Sequence, residues 1–161
     1  DRVISERMHQ QFKNNLITNL SLDYKGNVEL KNLTVFKELH ALNLSTSPVD
    51  FELIACFKHL EELSLGNFNG SRLKNILLNK DLKKFEVIYY FDGQRNFEYF
   101  KMLKKLETIT IPNITNEELL KLNGHPALKV LQVTTMYDEQ RKFIKNNRLS
   151  YTVKEVGYAG R

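Results

Sequence analysis

The chain has 161 residues, of which 42% are apolar and 27% charged, and carries a formal net charge of +5. That length suits one domain, and the balance excludes a disordered tail, a collagen-like fibre and a membrane bundle, because no apolar run approaches the ~20 residues that cross a bilayer. The single cysteine, Cys56, excludes a disulfide framework and a multi-cysteine metal site.

Residues 1–16 open with Ile4, Met8 and Phe12 on one helical face and Val3 beside them, which predicts a cap or the helix of a preceding unit. From Ile17 onward one spacing recurs: apolar, two residues, apolar, one residue, apolar. It is met at Ile17-Leu20-Leu22, Leu39-Leu42-Leu44, Leu60-Leu63-Leu65, Leu82-Phe85-Val87, Leu106-Ile109-Ile111 and Leu128-Leu131-Val133. The central residues are 22, 21, 22, 24 and 22 positions apart. The last three positions alternate with period two, so each copy predicts a short half-buried strand. The connectors predict helices, carried by Phe51, Ile54 and Ala55, then Leu73, Ile76 and Leu77, then Phe97, Phe100 and Leu103. Leu119, Leu120 and Leu122 follow, with Thr115 as N-cap and Glu117 and Glu118 in the first turn. Phe143 and Ile144 lie in the last helix, and Leu149 to Val156 is a degraded seventh copy that includes Tyr151 and Val153. The expected organisation is six repeats over 17–148 and a degenerate repeat or C-terminal cap over 149–161. With neither initiator Met nor targeting segment, the chain is expected to be a piece of something larger.

One strand and one helix per ~22 residues resembles the leucine-rich-repeat superfamily. The resemblance implies an α/β fold: a right-handed solenoid, or horseshoe, with a parallel sheet on its concave face and short helices on its convex face. The superfamily's usual Asn or Cys ladder is replaced here by Lys25, Ser47, Phe68, Tyr90, Ile114 and Met136. Phe68 and Tyr90 are therefore expected in the core. The segment from Ile114 to Val133, with His125-Pro126 just before Leu128, is similar to the helix-rich repeats of F-box leucine-rich-repeat proteins. That likeness implies the substrate-binding segment of a ubiquitin-ligase receptor, although no F-box is visible in these residues.

No catalytic constellation is found, and neither an enzyme activity nor a cofactor is expected. His9, His40, His59 and His125 fall in different repeats. Cys56 and His59 have a zinc-like spacing but lack partners for a four-ligand site, so Cys56 is expected to be a buried apolar thiol. A protein or peptide ligand is expected on the outward strand positions and their rim. These are Asn19, Ser21 and Asp23; Ala41, Asn43 and Ser45; Glu62, Ser64 and Gly66; Lys84, Glu86 and Ile88; Thr108, Thr110 and Pro112; Val130, Gln132 and Thr134. Tyr24, Asn67, Tyr89, Phe91 and Tyr137 extend this surface beyond the strands, the aromatics as interface anchors.

Lysines including Lys58, Lys80, Lys104 and Lys105 would line one edge and could track a phosphate backbone. Arginine is sparse there and no aromatics interleave, so nucleic acid is the weaker expectation. Five Asn-x-Ser/Thr triplets, at Asn19, Asn32, Asn43, Asn69 and Asn113, keep an extracellular receptor in view. The absence of cysteine-stapled caps favours cytosol or nucleus. A scaffold or assembly factor unrelated to ubiquitin is the further alternative.

Overall fold

A computed structural model describes residues 17–22, 33–44 and 51–157, and the backbone alone at Phe51 and Tyr90. The chain is α/β, with an open parallel sheet and short helices. Seven strands follow in order: β1 (Asn19–Leu22), β2 (Ala41–Leu44), β3 (Glu62–Asn69), β4 (Lys84–Asp92), β5 (Thr108–Ile111), β6 (Val130–Val133) and β7 (Thr152–Glu155). Each pairs in parallel with the next, so sequence order is sheet order. The apolar spacing sets this register. Leu20, Leu42, Leu63, Phe85, Ile109, Leu131 and Val153 form one continuous row across the sheet.

Among the described residues, the connectors include the short helices α1 (Phe51–Ile54), α2 (Asn116–Leu122) and α3 (Asp138–Asn146). Two connectors expected as helices wind more tightly, as the 3-10 helices η1 (Gly70–Leu78) and η2 (Phe97–Met102). Side-chain caps start them. Asn69 accepts from the Ser71 N–H, and Asn96 from the Glu98 N–H. Thr115 and Glu118 form a reciprocal capping box at α2. Gly124, at φ 78°, ends α2 in the left-handed region.

Leu73 and Ile76 of η1, Phe97 and Phe100 of η2, and Leu119 and Leu122 of α2 join the strand leucines in one core. Phe68, Phe85, Phe91, Phe97 and Phe100 make a chain of ring contacts at its centre, 5.4–5.9 Å between centroids. Aromatic pairs at such distances stabilise beyond their buried area. Phe68 and Ile114, at the ladder positions, are buried, and Met136 is half-buried. Tyr151 is buried and donates to the Leu119 carbonyl at 2.7 Å, and burial pushes its phenol pKa well up.

Strands β2 to β5 are each preceded by a four-residue turn. The N–H groups of Leu39, Leu60, Leu82 and Leu106 donate to the carbonyls of Phe36, Phe57, Asn79 and Leu103 at 3.0–3.3 Å. Where the other turns begin on Phe or Leu, two begin on buried polar residues that tie neighbouring turns together. Asn79 donates to the Ile54 and Phe57 carbonyls at 3.0 and 2.9 Å. His125 Nε2 lies 2.9 Å from the Phe100 carbonyl, and its Nδ1 accepts from the N–H groups of Ala127 and Leu128. Pro126 then occupies the second turn position, which its fixed φ suits.

Two expectations fail here. Cys56 is exposed, because it falls in the turn after α1 rather than inside a helix. Gly66 and Pro112, expected to face outward, are buried.

Candidate functional site

The face of the sheet opposite the core presents two side-chain rows. The first runs Asn19, Ala41, Glu62, Lys84, Thr108, Val130, Thr152, and the second Ser21, Asn43, Ser64, Glu86, Thr110, Gln132, Lys154. Both follow from period-two alternation once the leucine row is committed to the core. Adjacent strands lie about 4.8 Å apart, so side chains from five or more repeats meet on one surface.

The charged centre is at β3 and β4. Ser64 donates to Glu86 Oε2 at 2.9 Å, and Lys84 Nζ lies 4.0 Å from Glu62 Oε2. Both residues of the second pair are exposed enough for water to screen it, so the pair stays available to a ligand. Two strands on, Thr110 donates to Gln132 at 2.9 Å. Thr110, expected outward, is buried on this face between its neighbours' side chains. The Asn43 side-chain oxygen is shielded from water and lacks a partner among the described residues, a state that costs free energy until a donor reaches it. Ile88 is half-buried and Asn67 exposed. Asp23, Tyr24 and Ser45 lie outside the described residues.

The rim is partly as expected. Tyr89 is 53% exposed and Tyr137 65%. The pairing of β3 with β4 shifts register between Leu65 and Asn67, where β4 holds the extra residue. That bulge lies beside Tyr89 and interrupts the alternation. Phe91 is no rim residue. It is 4% exposed, lies between Phe68 and Phe97, and is covered by the Arg95 guanidinium 5.1 Å from its centroid. Phe91 is buried with Phe85 and Val87, as alternation along β4 gives, and it is Tyr89, beside the bulge, that departs from it. Tyr137 stands apart from the charged centre, beyond β6 at the start of α3, where its N–H donates to Gln140.

Arg95 was not singled out by sequence reasoning. It binds both Glu118 oxygens, at 2.8 and 2.9 Å, and donates to the Asn113 side chain at 2.9 Å. It thereby joins the loops after β4 and β5 beneath the rim. A Cβ at Gly70 would lie 2.9 Å from Arg95 Cα, so this close approach requires glycine.

Among the described residues, no three His, Cys, Asp or Glu side chains are grouped to hold a metal ion, and no helix is long and apolar enough to cross a membrane. Searches against protein-family models and against curated proteins give no match to this chain.

Proposed function

We propose that the chain is a leucine-rich-repeat solenoid that recognises a protein or peptide on the open face of its sheet. The carrying observation is the register. In a sheet whose strands follow sequence order, a near-22-residue period places Glu62 and Ser64 of β3 beside Lys84 and Glu86 of β4, with Gln132 on the same face two strands on, in β6. Small polar side chains around a few charges suit an extended ligand, and Tyr89 offers an anchor at the edge. The His125-Pro126 turn after α2 supports the narrower reading of a substrate-binding segment in a ubiquitin-ligase receptor.

The test is affinity capture from the source cells with the natural chain and with Glu62→Lys/Glu86→Lys. A stoichiometric protein lost with the variant, whose melting is unchanged, supports recognition at this face. Recovery of a cullin with the full-length parent supports the ligase reading. Equal capture by both chains overturns the assignment of the face.

A further inference from the structure

The turns before the strands form a second surface, unrelated to the open face. Their stacking is fixed by backbone. The N–H groups of Glu61, Lys83 and Glu107 donate to the carbonyls of His40, Glu61 and Lys83 at 2.7–2.8 Å, which holds successive turns in register. Two rows of side chains follow. The second turn position is Lys37, Lys58, Lys80 and Lys104, all exposed. The residue before each turn is Val35, Cys56, Leu78 or Met102. Val35, Leu78 and Met102 are 45%, 66% and 48% exposed, and Cys56 is also exposed.

The electrostatics separate these lysines from their neighbours. Asp81 is bound by Lys105, Glu61 by Lys83, and Glu107 by Lys129. The Lys83 and Lys105 ammonium groups hold the Glu61 and Asp81 carboxyls below their ordinary pKa values. Nearby carboxylates are thus committed, and the four turn lysines make no ion pair among the described residues. Glu38, beside Lys37, is the edge's remaining acid. From four residues before each core leucine to one after, the five turns hold seven lysines and four carboxylates, so most of the chain's net charge of +5 lies on this edge.

We propose that this edge docks on an anionic lipid bilayer. A cationic row beside a row of protruding aliphatic side chains matches the headgroup and acyl boundary, where lysine stems snorkel and apolar tips insert. The rows contain neither arginine nor aromatic rings, and the nearby His40 and His59 rings stack on each other, 6.2 Å between centroids, so little is offered to nucleic-acid bases. The apolar side chains are exposed at successive turns beside the lysines, which suits insertion at a bilayer boundary.

The test is co-sedimentation of the whole chain with phosphatidylcholine vesicles, plain or with about 30% phosphatidylserine. Binding should need phosphatidylserine and fall as salt rises from about 0.1 to 0.5 M. Removing one turn lysine, as in Lys80→Gln, should weaken binding about fivefold. Leu78→Ser/Met102→Ser should also weaken it, with melting unchanged, whereas Lys142→Gln/Lys145→Gln on α3 should not. Failure to sediment with the acidic vesicles overturns the proposal. So does equal loss with the α3 lysines, or binding only to a single-stranded oligonucleotide or an acidic peptide. The salt titration on the natural chain decides the matter even if a variant folds poorly.

Discussion

Replacing Arg95 by Ala should be among the most damaging changes made outside the leucine rows. The guanidinium satisfies both oxygens of Glu118, a carboxylate only 8% exposed, and the side chain of Asn113. It also covers Phe91 and Phe97, at 5.1 and 5.8 Å from their centroids. Truncation leaves Glu118 with the Thr115 N–H and its own helix as its remaining support. Breaking a buried pair from one side costs about 3–5 kcal/mol. For a chain of this size, about 2–4 °C of melting temperature goes with each kcal/mol, so the expected drop is about 6–20 °C. Thermal unfolding by circular dichroism reads it directly. Arg95→Met/Glu118→Leu should recover part of the loss, because no orphaned charge remains. A loss under about 1 kcal/mol for Arg95→Ala is what an exposed pair gives, and would refute the bracket between the two loops.

Three further outcomes are expected. Leu63→Ala, in the central strand row, should cost about 2–5 kcal/mol in denaturant unfolding, and a smaller cost would displace Leu63 from the core. Phe91→Ala should cost about 3–5 kcal/mol while Tyr89→Ala stays within about 0.5 kcal/mol; equal costs would contradict the bulge. The third concerns pH. Burial holds the His125 imidazole below its ordinary value of 6.5, so the unfolded chain takes up a proton before the folded one does. Its contribution is therefore complete above pH 6.5 and is lost as pH falls toward the folded value. His125→Asn places at this turn the residue that Asn79 already supplies at its counterpart. That variant should show a flatter melting profile than the natural chain between about pH 7 and 5. Parallel profiles would show that His125 does not titrate with folding.

The strands were legible because the leucine spacing is both a repeat and an alternation. Fixing Leu42, Leu63 and Phe85 inward fixes Glu62, Ser64 and Lys84 outward. Phe91 was placed on the rim because Tyr90 was given the ladder position in the core, although alternation from Phe85 and Val87 carries Phe91 inward. The residue that departs from the alternation is Tyr89, beside the extra residue of β4, which is visible only against its partner strand. Cys56 was placed inside because the helix at Phe51 was read as longer than its four residues. The Arg95 bracket joins residues 23 positions apart through side chains that share no periodicity. Asn79 and His125 did leave a signal: both are polar residues three before a core leucine, where Phe36, Phe57 and Leu103 stand otherwise. The turn lysines were visible singly, but their separation from the ion-paired rows required the pairings of Glu61, Asp81 and Glu107.

The open sheet face is where we propose that recognition takes place. Site-specific photo-crosslinking tests it most directly, with the reactive side chain placed at Ser64 or Gln132 on that face, or at the exposed Lys74 on η1. The same stoichiometric protein should crosslink from both face positions in extracts of the source cells and not from position 74. A protein captured from position 74 alone, with both face positions silent, would contradict the account.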